Sequence, residues 1–168
     1  MGSDPIRLRS AQGIVDFYAA FSASDFDTMA RMLHADCRLE FPGSRFDNLV
    51  TGREAIIALF QGVQQAFGGT LRFHPKWAMH QPDADAGDLM AVHWYTTGRL
   101  PQGPYLNRGV AWYRLEDGLV RDFLDFFDTE IVGAFFGADA PPPSAAALVE
   151  RLRALAPASA LEHLSQLV

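Results

Sequence analysis

An α+β fold is predicted for this chain of 168 residues, with helices on one face of an antiparallel sheet. Three observations lead there. Apolar residues recur at helical spacing from the N-terminus as far as Gly68-Gly69. From Thr70 the period changes to alternation, the signature of strands half-buried in a sheet. Turn-rich segments then divide this second half into four runs near 70–81, 88–100, 104–115 and 119–131, a meander that belongs with helices segregated to one side.

Each element has its own reason. Ser10 is a plausible N-cap, after which Ile14, Phe17, Tyr18 and Phe21 share one helical face. Asp25 can cap a second, shorter helix carrying Phe26, Met29, Ala30 and Leu33 and ending near His34-Ala35-Asp36. Cys37 to Phe41 reads as a strand that Pro42-Gly43 breaks, and a polar loop follows. Thr51-Gly52-Arg53-Glu54 opens a third helix with Ile56, Leu59, Phe60 and Val63 on one side. Beyond Gly137 the run Ala-Asp-Ala-Pro-Pro-Pro cannot continue a strand and reads as a semi-rigid linker. Residues 1–137 are therefore expected to form one domain, and 138–168 a Pro-rich linker with a C-terminal helical extension. In the extension Ser144 caps a helix with Leu148, Val149, Leu152 and Leu155, and Ser159 starts a last turn or two with Leu161, Leu164 and Leu167. Those helices must bury their stripe over a pocket mouth or against a second subunit.

Composition narrows the function classes. The chain is 49% hydrophobic and 20% charged, with 13 Phe, 4 Tyr and 3 Trp, which favours a packed globule with aromatics to spare for a cavity. A net charge of −6 without a Lys/Arg run argues against nucleic acid and against anionic membrane surfaces. A lone cysteine, Cys37, excludes an internal disulfide and a cysteine-based zinc cluster, and fits a reducing cytoplasm. No run approaches the ~18 apolar residues of a membrane span. The five histidines, His34, His74, His80, His93 and His163, show no metal-ligand spacing. No phosphate loop, dinucleotide fingerprint or GxSxG elbow is present, so neither a nucleotide cofactor nor a serine nucleophile is indicated.

Leu115-Glu116-Asp117-Gly118-Leu119 reads as a hairpin with a three-residue loop. That register pairs Leu115 with Leu119, Tyr113 with Arg121, Ala111 with Phe123, Gly109 with Asp125 and Asn107 with Phe127, all on one face. The other face carries Val110, Trp112, Leu124 and Phe126 with the charges of Arg114 and Asp122. Large apolar groups on both faces point to a homodimer through the outer one. Alternation along the neighbouring strand turns Val92 and Trp94 inward and His93 and Tyr95 outward. A one-residue slip would bring His93 into the pocket.

The run Tyr105-Leu106-Asn107-Arg108, the turn Glu116-Asp117-Gly118 and the strand Leu124-Asp125-Phe126-Phe127-Asp128-Thr129 resemble the last hairpin of SnoaL-like proteins of the NTF2-like superfamily. Thr51-Gly52-Arg53-Glu54-Ala55-Ile56 resembles that family's third-helix entry, and Phe21 to Pro42 its helix-helix-strand opening. The resemblance covers about residues 10 to 137. It implies a cystatin-like cone with an apolar pocket, hosting isomerases, cyclases, epoxide hydrolases or plain binding proteins. The steroid-isomerase branch's helix-one tyrosine, its base and its protonated aspartate fall on Phe17, Phe41 and Ala111, so that chemistry is missing. The polyketide-cyclase branch's last-strand aspartate matches Asp125. Arg121-Asp122-Phe123-Leu124-Asp125 resembles a run in the epoxide-hydrolase branch, but residues 88–115 hold no Arg-x-Asp to complete its site.

Asp125 between Phe123 and Phe127 is the expected acid or base, because desolvation moves a carboxyl toward neutral pH. Asn107 would orient it or a substrate carbonyl. Phe17, Phe41, Trp94, Tyr113, Phe123 and Phe127 are the expected apolar lining. The competing reading makes Asp125 a structural group paired with Arg121 or Asn107. Asp128 and Thr129 are expected to close the strand by bonding backbone.

Overall fold

The computed structural model describes residues 4–42, 49–82, 87–136, 149–150 and 152–167. Helices α1 (Ala11–Ser22), α2 (Phe26–Met32) and α3 (Arg53–Ala66) precede the long strands, as their apolar spacing predicts. Asp25 caps α2, its carboxylate accepting the Thr28 N–H at 3.0 Å. Buried Gln64 on α3 donates to the Phe21 carbonyl at 3.0 Å and the Leu71 carbonyl at 2.9 Å, tying α3 to the end of α1 and the chain entering the sheet.

Among the described residues six strands form the sheet: β1 (Leu33–Glu40), β2 (Leu49–Thr51), β3 (Arg72–Gln81), β4 (Asp88–Leu100), β5 (Gly103–Glu116) and β6 (Leu119–Phe127), in the spatial order β2-β1-β6-β5-β4-β3. β3 to β6 are the expected antiparallel meander, and β1 adds to β6 in parallel. Two ends of the first half differ from expectation. The strand after α2 begins at Leu33, four residues before Cys37, and the segment expected to be a polar loop contains β2, paired with β1 through Arg38 and Thr51.

The fourth long strand stops at Phe127, short of residue 131. Asp128 turns the chain into α4 (Thr129–Phe136): its carboxylate accepts the Ile131 N–H and its carbonyl the Val132 N–H. Asp128 thus bonds backbone as expected, but as the N-cap of α4 rather than as the end of a strand.

The hairpin register also differs. Asp117 and Gly118 both have positive φ, 51° and 77°, and make a two-residue turn in which Glu116 pairs with Leu119. A β-bulge at Arg121 then shifts the ladder, so Tyr113 pairs with Phe123, Ala111 with Asp125 and Gly109 with Phe127. Gly109 is therefore not opposite Asp125. Val120 moves to the core side and is fully buried, whereas Arg121 turns to Glu116 and Asp36.

The core beneath the helices is aromatic. Phe17, Tyr18, Tyr113 and Phe123 pack mostly edge to face, and the Tyr113 hydroxyl donates to that of Tyr18 at 2.5 Å.

The C-terminal extension chooses the outer face of the sheet. Its last helix, α5 (Ala158–Gln166), packs on β4, β3 and β5, burying Ala160 and Leu164. The Pro-rich run, Ser144 and Leu148 lie outside the described residues. A relay pins α5 down: His74 Nε2 lies 2.8 Å from the buried Thr97 hydroxyl, which lies 2.6 Å from His163 Nδ1. Burial, then His163 and Arg72, push the His74 imidazole down to about 4, and burial lowers His163 too. A histidine with a depressed folded-state pKa lends stability above the unfolded value, 6.5, and loses it as pH falls toward about 4. Hydrogen exchange at the Ala160 and Leu164 amides should therefore accelerate, relative to the α3 amides, between pH 6.5 and pH 4.

Candidate functional site

On the helical side of the sheet a cavity of about 380 Å³ opens between α3 and the inner faces of β4, β5 and β6. Its strand wall holds Phe73, Trp94, Thr96, Tyr105, Asn107 and Asp125, with Phe127 beside them. α3 and its exit contribute Leu59, Val63 and Phe67, and the rim is closed by Phe41, Val50 and Val132. No Lys, Arg or His lines it among the described residues.

Of the residues expected at the site, Asp125, Asn107, Phe41, Trp94 and Phe127 are brought together here. Phe17, Tyr113 and Phe123 are not: they face the same side but lie in the aromatic core, where they close on one another. Alternation alone gives a residue's face and not its depth, which is why the three look equivalent to Trp94 in sequence. The converse omission is Tyr105 and Thr96, two residues from Asn107 and Trp94 along their strands. The same parity that selected Asn107 and Trp94 points to both. Val50 and Val132 carry no such signal, since they depend on β2 and α4.

Asp125 is 9% exposed, and its Oδ1 has no hydrogen-bond partner among the described residues. Burial raises its carboxyl from 3.8 to about 7, a rise the nearby Trp94 side chain offsets in part. The Trp94 Nε1 is itself buried and forms no hydrogen bond that meets ordinary geometry. Neither structural partner considered for Asp125 is bonded to it. Arg121 is committed to Glu116, and the Asn107 amide donates to the Tyr105 hydroxyl at 2.8 Å and the Asp128 carbonyl at 3.3 Å while its oxygen accepts the Arg108 N–H at 2.7 Å.

Asn107 thus holds Tyr105 at the cavity wall and links the site to the cap of α4. Burial keeps the Tyr105 phenol protonated, its pKa far above the usual range. A carboxyl titrating near neutral pH in an apolar chamber can give or take a proton at little cost in driving force.

Other candidates fall away. Burial pushes the Cys37 thiol up to about 11, so it is no nucleophile. His93 lies on the outer face between Trp77 and Tyr95. Asp122 also faces out, in an ion pair with Arg114 at 2.5 Å. Among the described residues no cluster of His, Cys, Asp or Glu could hold a metal ion, and no helix is long and apolar enough to cross a membrane.

A six-stranded sheet wrapped over three helices, with an acidic group deep in the concave side, defines a cone-shaped pocket protein. The chain belongs to the SnoaL-like domain family, whose model matches residues 14–123, from α1 to the middle of β6 and two residues short of Asp125. No curated protein sequence matches it. Among solved structures it resembles Bal32a, from a soil-derived mobile gene cassette, at 24% identity and TM-score 0.61, over 70% of this chain and 87% of that one. TerC, co-crystallised with polyporic acid, is 20% identical with TM-score 0.59, over 73% and 93% of the two chains. An LEH-like epoxide hydrolase of M. tuberculosis is 19% identical with TM-score 0.56, over 71% and 83%. These likenesses extend to the fold.

Proposed function

We propose that the protein is a cofactor-independent enzyme that moves a proton on a small hydrophobic molecule of the carbonyl, polyketide-like or terpenoid-like kind. Asp125 is the acid–base group, and Asn107 assists by holding the Tyr105 hydroxyl. The observation that carries this reading is the buried Asp125 Oδ1, which lies in an apolar cavity with no hydrogen bond of ordinary geometry among the described residues. A structural carboxylate at that depth would be bonded, because leaving it bare costs ~1–3 kcal/mol or more. Structural neighbours described as a polyporic-acid complex and an epoxide hydrolase are consistent with small organic ligands in this fold.

The test is solvent exchange of the α-protons of 2-tetralone, a bicyclic ketone within the size of the cavity, followed by NMR in D2O. The wild type should exchange them faster than buffer, and Asp125→Asn should not. Equal exchange by both proteins removes Asp125 from the chemistry. If neither exceeds buffer and both bind the ketone alike, the alternative reading, a non-catalytic ligand-binding protein, takes its place.

The outer sheet face supports a second part of the reading, a homodimer. Trp77, Met79, Trp112 and Phe126 are 43%, 54%, 47% and 41% exposed there, beyond the part α5 covers. Side chains of that size left in water together mark an interaction surface, and a second copy of the same face closes it without another partner. Light scattering should give a dimer for the wild type and a monomer for Trp112→Glu. A monomeric wild type points to assembly with a different protein. The cytoplasm is the compartment that fits the one cysteine, which is buried and unpaired.

A further inference from the structure

Among the described residues two polar atoms at the base of the cavity make no hydrogen bond of ordinary geometry, and they are of opposite kind: Trp94 Nε1 is a donor, its side chain close enough to Asp125 to offset part of the rise in its carboxyl pKa, and Asp125 Oδ1 is an acceptor when ionised. Both side chains are more than nine-tenths buried, at 3% and 9% exposure, and both line the same chamber. They are brought together by Gly109. Trp94 pairs with Gly109 across β4–β5, and the indole lies over that glycine, its Cζ2 occupying the space a side chain would take. Cζ2 is on the nitrogen-bearing side of the ring, and the indole approaches Asp125 on β6 closely enough to lower its carboxyl pKa by hydrogen bonding.

With the carboxyl ionised, a hydroxyl is the ligand group that satisfies both orphans. A hydroxyl donates its proton to the carboxylate and accepts the indole N–H on its lone pair. An ammonium ion has no lone pair for the indole, and an anionic head would lie beside a carboxylate with no lining cation to offset it. A hydrocarbon leaves both atoms bare.

The geometry points to Trp94 as a specificity-determining residue: the cavity takes an uncharged, ring-sized molecule bearing a hydroxyl, phenolic or enolic, whose oxygen bridges Trp94 Nε1 and Asp125 Oδ1. This rests on the reading of Asp125 as the working group of the cavity and adds the class of molecule it works on. Because Asp125 titrates near neutral pH, the preference for the hydroxyl grows above pH 7, where the carboxylate is the better acceptor.

The test compares 2-naphthol with naphthalene, which share a ring system well inside 380 Å³. At pH 8 the wild type should bind the naphthol about ten-fold more tightly, roughly the value of one or two hydrogen bonds to buried groups. Trp94→Phe should lose most of that ratio while holding naphthalene within about two-fold, which also reports that its cavity survives. Should Trp94→Phe not fold, the wild type answers by 15N–1H NMR. The chain has 3 tryptophans, and the slowly exchanging indole N–H, that of the buried Trp94, should move downfield with naphthol and not with naphthalene.

Equal affinities for the two probes, an indole signal indifferent to naphthol, or no saturable binding of either overturns the proposal. Failure of the two readings is separable. A hydroxyl preference that survives in Trp94→Phe removes Trp94 alone. A preference that Trp94→Phe abolishes but that is flat from pH 5 to pH 9 keeps Trp94 and removes Asp125.

Discussion

Asp125→Asn is expected to lose proton-transfer activity by about 10²–10⁴-fold, the range for removing a positioned acid or base, and to melt higher than the wild type at pH 8. The second effect follows from the direction of the pKa shift. A carboxyl raised from 3.8 to about 7 in the folded state binds a proton more tightly folded than unfolded. Its contribution to stability is therefore complete below pH 3.8 and lost as pH rises through about 7, a span worth about 4 kcal/mol. Asparagine never ionises and escapes that loss. It brings instead a buried amide donor, worth about 1–3 kcal/mol if unmet. The two curves should cross: at pH 5 the variant is equal or weaker, and at pH 8 it gains about 5 °C, taking 2–4 °C per kcal/mol for a chain of this size. His74 slopes the other way, losing stability toward acid, so the wild type alone shows a muted pH profile and only the comparison isolates Asp125. A variant that is less stable at every pH would mean that the native carboxylate is stabilised by partners, and the acid–base role would fall with it.

That Asp125 could be placed on the cavity face from sequence at all depends on two departures that offset each other. The turn is one residue shorter than the expected Glu116-Asp117-Gly118 loop, which by itself would reverse every side chain of β6. The bulge at Arg121 inserts the missing step and restores the parity. Face survived, whereas partner did not: Asp125 lies across from Ala111. The Asp-Gly pair was a legible sign of the shorter turn, because Asn-Gly and Asp-Gly favour type I′ geometry. The bulge had no clear sign in the strand pattern, since Arg121 is held not only by Glu116 across the turn but by Asp36 and the pairing of β1, both distant in sequence.

Elsewhere the same division holds. Helices α1 to α3 and the four long strands were legible because each buries a periodic face. α4 was missed: Ile131 and Phe135 four apart and Asp128 in capping position were its local signs, but the strand pattern was read on to residue 131 and hid the helix. β2, three residues long, has no period to read. The seat of α5 on Thr97 and His74 is a contact between distant segments, and no spacing within either segment encodes it.

Gly109→Ala should be the most damaging added methyl among the described glycines. A Cβ at this position would sit 2.3 Å from the Phe126 carbonyl oxygen and 2.3 Å from Trp94 Cζ2, with Cη2 at 2.7 Å. A ring can rotate, but the carbonyl belongs to β6 backbone in the ladder, so relief requires β5 and β6 to part. Overpacking of a close-packed core costs about 1–3 kcal/mol, and a clash with backbone belongs at or above the upper end. Thermal unfolding should fall by about 6–12 °C, converting ~3 kcal/mol at 2–4 °C per kcal/mol. The indole, pushed off the glycine, should also leave Asp125, so surviving folded protein should bind 2-naphthol no better than naphthalene. Adding Trp94→Leu to Gly109→Ala separates the two clashes, since it frees the ring's space and not the carbonyl's. The double variant should recover only part of the lost stability. Full recovery would show that Trp94 alone demands the glycine, and a Gly109→Ala melting within 1–2 °C of the wild type would show that the approach of β5 to the indole is looser than the geometry states.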